Sequence, residues 1–168
     1  DRKESSGRID PTYELMELLV YRHHPLLTGC RIALAWRFEV KPTADGHVML
    51  GRCRKASDID RSLHLYDFVI LLNYDVWSSP DWTEAQRAAV LDHELCHCAV
   101  ALDDAEQPKE DSDGRTVYRV RKHDLEEFHE IVQRHGLYRR DLEEFASTIL
   151  ERRNTPLLNV VNEDGEEV

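Results

Sequence analysis

Thr83-Glu-Ala-Gln-Arg-Ala-Ala-Val-Leu-Asp-His-Glu-Leu-Cys-His97 is the stretch that decides the fold. Thr83 and Gln86 have the spacing of a capping box, in which each side chain serves the other's backbone N–H at a helix start. Ala88, Leu91, Leu95, Cys98 and Leu102 then recur at alternating intervals of three and four, the stripe of an amphipathic helix. The spacing therefore predicts one helix from Thr83 to about Leu102. Within it stands His93-Glu-Leu-Cys-His97, the pattern His-Glu-x-x-His. Residues four apart on a helix lie one above the other, so the two imidazoles can converge on a single metal ion. Glu94 is turned by about 100° from His93 and about 60° from His97, which places it beside the ion as a base for metal-activated water. A shuffled chain of this composition would contain the pattern only about 0.04 times. The leucine stripe is a different face, so core packing does not account for the histidines.

Upstream, Asp10-Pro-Thr12 reads as a helix start, with Leu15, Leu18 and Leu19 at helical spacing and His23-His-Pro25 as its end. Arg31–Val40 and Val48–Arg54 read as two strands joined by the Gly46 turn, hence a hairpin. Asp67–Asn73 is continuously apolar at its centre and is expected to be a strand buried on both faces. Downstream, Asp103–Arg115 is an acidic loop, Thr116–Val120 a short strand, and Asp124-Leu-Glu-Glu127 a second capping box. Leu125, Phe128 and Val132 give that helix its stripe and Gly136 stops it; Arg140–Arg153 is the last helix. Residues 1–9 are expected to be a flexible N-terminus, 10–153 one domain, and 154–168 an acidic tail.

The 168 residues, 41% hydrophobic and 8% aromatic, suit one domain with an ordinary core. No apolar run nears the ~18 residues of a membrane span. A net charge of −11 argues against broad contact with nucleic-acid phosphates. Arg52, Arg54, Lys55 and Arg61 form a local basic cluster, read as a solvated strand face ahead of a nucleic-acid groove. Four cysteines (Cys30, Cys53, Cys96 and Cys98) are too few for a disulfide scaffold and read as reduced thiols of a cytoplasmic protein. Cys96 and Cys98 are read as packing residues ahead of soft metal ligands.

A catalytic zinc needs a third protein ligand and an open position. His123, Glu126, Glu127, His129 and His135 are the downstream candidates, and periodicity favours none of them. Asp92 and Asp75 could accept the far N–H of a ligand imidazole. Tyr118, Tyr138 or an arginine could stabilise an oxyanion.

Three segments in order carry a resemblance: Ile70-Leu-Leu-Asn73, Val90-Leu-Asp-His-Glu-Leu-Cys-His97 and Lys122-His-Asp-Leu-Glu-Glu-Phe128. Together, over roughly residues 67–138, they resemble the SprT-like zincins, and more closely the bacteriophage-borne phage metallopeptidases. In SprT-like proteins the third ligand is a His in a His-Gly-x-Glu-Phe-type segment. His123 matches it, with Asp124 where the family often has Gly and one residue more before Phe128. The resemblance implies a single α+β zincin-like domain, with a small mixed sheet packed on the His-Glu-x-x-His helix and a second ligand-bearing helix. It also implies Zn2+ on His93, His97 and His123, and hydrolysis of peptide or protein substrates with Glu94 as general base, in a bacterial host cytoplasm if phage-encoded. Two alternatives remain open: a deformylase-type amidase with Cys53 as third ligand, and a non-catalytic zinc-stapled protein-binding module.

Overall fold

The structure is a computed structural model that describes residues 10–153; the expectations for 1–9 and 154–168 lie outside the described residues. The described chain divides into two compact units, 10–121 and 122–153.

The first unit is a three-stranded sheet with helices packed on it. Helix α1 (Pro11–His23) is capped by Asp10, whose carboxylate accepts from the Thr12 N–H. A 3-10 turn, Pro25–Leu27, leads to β1 (Ile32–Arg37), followed by β2 (Gly51–Lys55) and a short helix α2 (Asp58–His64). Helix α2 starts at a Ser57–Asp60 capping box. Strand β3 (Phe68–Asn73), the short helix α3 (Tyr74–Trp77), α4 (Glu84–His97), β4 (Cys98–Val100) and β5 (Tyr118–Val120) complete the unit.

The predicted hairpin does not form. The sheet order is β1-β3-β2: β3 lies between the two strands, parallel to β1 and antiparallel to β2, with Leu72 opposite Gly51. Sequence neighbours usually pair, but the most apolar strand takes the centre, where both its edges are satisfied. Nor is β3 buried equally on its two faces. Phe68, Ile70 and Leu72 are 0% exposed and face the core, whereas Val69 and Leu71 are half-buried. Leu15, Met16 and Leu19 of α1 and Ala88, Leu91 and Leu95 of α4 complete that core. Among the described residues no helix is long and apolar enough to cross a membrane.

Helix α4 starts at the Thr83 box as expected but stops at His97. Cys98 turns to extended backbone (φ −77°, ψ 110°), so the apolar stripe passes into β4, and Leu102 is 46% exposed. Strand β4 pairs antiparallel with β5, Cys98 opposite Val120. The acidic loop between them is ordered by its backbone: Lys109 N–H donates to Ala101 and Val117 N–H to Lys109.

The second unit holds α5 (His129–His135) and α6 (Arg140–Arg152). Gly136, at φ 69°, ends α5 as the sequence predicts. The predicted box at Asp124–Glu127 opens no helix. The Glu127 carboxylate instead accepts from the Phe128 N–H, the Tyr138 hydroxyl and the Arg139 guanidinium, which fix this segment as a loop. Phe128 is then 75% exposed rather than part of a stripe.

Candidate metal centre

His93 and His97 occupy successive turns at the end of α4, with ring centroids 5.1 Å apart and planes at 79°. The two strands after α4 fix the second ring. β4 carries the chain away, β5 brings it back, and Arg121 closes on His97 from both sides. Its N–H donates to the His97 carbonyl (2.9 Å), and its carbonyl lies 2.6 Å from His97 Nδ1. A carbonyl can only accept, so Nδ1 carries a hydrogen and Nε2 is the ring nitrogen that can serve as a ligand. Such an outer partner sets both tautomer and ring direction in metal-ligating histidines.

Glu94 is only 5% exposed, an unusual burial for a carboxylate. It is seated against the start of β2. A Cβ built on Gly51 would meet Glu94 Cγ and Oε1 at 2.7 Å, closer than real Cβ contacts come. Gly51 is placed in turn by the end of β3. Asn73 N–H donates to Leu50, and Asn73 Nδ2 donates to Met49 (2.9 Å) while its Oδ1 caps α3. The sheet thus delivers a backbone without a side chain where the acid needs room. Gly51→Ala is expected to displace the Glu94 carboxylate by a few tenths of an ångström or more, read from a crystal structure of the variant. An unmoved carboxylate would show that the seat does not position Glu94.

These imidazole donors beside a seated acid fit a divalent cation, and imidazole is a ligand for zinc, copper, iron and nickel alike. A family model described as "Putative phage metallopeptidase" matches residues 8–149. The chain belongs to this phage metallopeptidase family. No curated protein and no solved structure matches it.

In this phage metallopeptidase the other sequence candidates take varied positions. His123 opens the second unit and is exposed, two residues beyond Arg121. Glu127 is committed to Phe128, Tyr138 and Arg139; the Tyr138 hydroxyl, then the Phe128 N–H, holds its carboxyl below the usual range. Tyr138 is correspondingly engaged with Glu127. Glu126, His129 and His135 are exposed, and His129 lies 4.0 Å from Glu130. Tyr118 is a core residue rather than an oxyanion donor at an open site: it packs on Phe68 (5.4 Å), and burial pushes its phenol up to about 12. The carboxylate of Asp92 is taken up by His24 (2.6 Å), and that of Asp75 by the Val40 N–H (3.3 Å). A backbone carbonyl, which no residue pattern announces, serves His97 in the role expected of an acid.

The thiol of Cys53 lies 3.4 Å from that of Cys98, packed against the core. That contact, then burial, pushes the Cys98 thiol far up, which keeps it protonated. The basic cluster is not a single face, because Arg61 sits on α2 and turns to Asp67.

Proposed function

We propose that this phage metallopeptidase is a zinc endopeptidase in which His93, His97 and His123 hold the ion and Glu94 is the general base. The observation that carries the reading is the seat of Glu94 against Gly51, on the same helical turns as His93 and His97. A buried acid with a fixed carboxylate beside two paired imidazoles is what proton transfer at a metal site needs. His123 is supported by chain continuity. Arg121 is bonded to His97 through both N–H and carbonyl, and two further residues reach at most about 7 Å. Glu127, by contrast, already has three partners.

When bound, zinc supplies Lewis acidity to an oxygen ligand and to the substrate carbonyl. Glu94 accepts the proton of the attacking water and delivers it to the leaving nitrogen, so its carboxylate is regenerated each turnover. The Arg121 carbonyl keeps His97 in one tautomer throughout. β2 is a sheet edge that begins at Gly51, so an extended peptide hydrogen-bonded along it would carry its scissile bond past Glu94. The deformylase alternative loses support from Cys53, whose sulfur is directed at Cys98 in the core. Residues 10–153 would act as one peptidase domain in the cytoplasm of a bacterial host.

His123→Ala is the direct test. Zinc affinity, read by competition with a chelating dye, should fall by more than the ~10–100-fold typical of losing an outer hydrogen-bond partner. Undiminished stoichiometric zinc would remove His123 from the ligand set and leave His129 or Glu127 to be tested next.

A further inference from the structure

Helix α4 carries a second pair of potential ligands one residue out of phase with the first. Asp92 and Cys96 precede His93 and His97 and share their four-residue spacing, so they too lie one above the other, turned by about 100°. Facing them is His24, at the end of α1. Its N–H caps that helix by donating to Val20, and its Nε2 lies 2.6 Å from Asp92 Oδ1. One ligand atom from each of His24, Asp92 and Cys96 lies within 4.8 Å of the other two.

We propose that His24, Asp92 and Cys96 form a second cation site, selective for borderline ions such as zinc, on the face of α4 beside the peptidase centre. Tetrahedral zinc with one sulfur and two N/O ligands places its donors about 3.3–3.6 Å apart, given bonds of ~2.3 Å to sulfur and ~2.0–2.1 Å to nitrogen. His24 and Asp92 open from their 2.6 Å hydrogen bond to reach that spacing, starting from ligand atoms that all lie within 4.8 Å of one another. Before binding, His24 Nε2 and Asp92 hold one another through a hydrogen bond. On binding, the Cys96 thiol gives its proton to solvent and the thiolate, imidazole and carboxylate become ligands. The nitrogen–oxygen–sulfur set excludes magnesium and calcium, which prefer oxygen alone. Cys96 is exposed, so an ion can enter from solvent and find a fourth ligand there. The ion would tie the C-terminal end of α1 to α4 within one turn of His93 and His97.

Cobalt(II) separates this site from the all-imidazole one, because a thiolate ligand gives a near-ultraviolet charge-transfer band that imidazole does not. Titrated into the metal-free full chain, Co2+ should produce that band with one of the two equivalents bound per chain. Cys96→Ser should abolish the band, and His24→Gln or Asp92→Asn should weaken the binding that produces it at least tenfold. The His93→Ala/His97→Ala double variant should retain it. Melting curves with and without cobalt provide a second reading. The wild type and the double variant should both gain stability from the thiolate-bound ion, whereas Cys96→Ser should lose that increment. Absence of the band in the wild type would overturn the proposal. So would a band that survives Cys96→Ser, or one that requires His93 and His97. None of these outcomes depends on whether the protein cleaves peptides.

Discussion

On the proposed mechanism, Glu94→Gln is expected to lower peptide cleavage by about 10²–10⁴-fold, the usual contribution of a positioned general base, while the metal ion remains bound. The substitution preserves shape, which matters because the side chain is 5% exposed and seated against Gly51. It replaces an oxygen that can accept a proton with an amide nitrogen that cannot. The metal should stay because Glu94, about 100° around the helix from His93, is outside the proposed ligand set. Cleavage of an unfolded protein substrate and zinc by elemental analysis, run on the same samples, check both halves. A rate within a few-fold of wild type would reassign the base, and loss of zinc would make Glu94 a ligand.

The parts of the site that are legible in the sequence are those set by local spacing. The Thr83–Gln86 box and the paired histidines are properties of one helix, and a helix presents residues four apart on one face whatever surrounds it. The parts that are not legible depend on partners distant in sequence. Gly51 has the look of an ordinary strand start; its importance emerges only when β3 inserts between β1 and β2 and turns Gly51 towards Glu94. The Arg121 carbonyl is equally silent, since every residue has one. The helix ends that depart from their sequence spacing have the same origin. Cys98 and Leu102 continue a three-and-four spacing, but the pairing of Cys98 with Val120 outweighs one further helical turn. Asp124–Glu127 has the spacing of a capping box, yet Tyr138 and Arg139 claim the Glu127 carboxylate first.

Asp67→Ala is expected to cost about 3–5 kcal/mol, a large part of the ~5–15 kcal/mol that stabilises a typical domain. Asp67 is 2% exposed and joins three parts of the first unit. One oxygen accepts from the Arg31 N–H (2.9 Å) before β1, the other from Arg61 Nε (3.1 Å) on α2. Arg61 in turn donates to the Thr116 carbonyl and lies over the Tyr118 ring, 5.5 Å from its centroid, at β5. Removal of the carboxylate leaves a largely buried guanidinium without its counter-charge, the costly half of breaking a buried pair. At ~2–4 °C per kcal/mol for a chain of this size, the melting temperature should fall by about 10 °C. Arg61→Met added to Asp67→Ala should recover part of the loss, because the stranded charge goes with it; simple addition of the two single effects would contradict this account. The damage should also reach the metal. β5 delivers Arg121, whose carbonyl holds the His97 ring, so loosening β5 frees that ring to turn. The Asp67→Ala protein is therefore expected to bind zinc more weakly than wild type at temperatures well below its own melting point. Unchanged zinc affinity in the folded variant would mean that Arg121 is held on His97 without help from the Asp67–Arg61 pair.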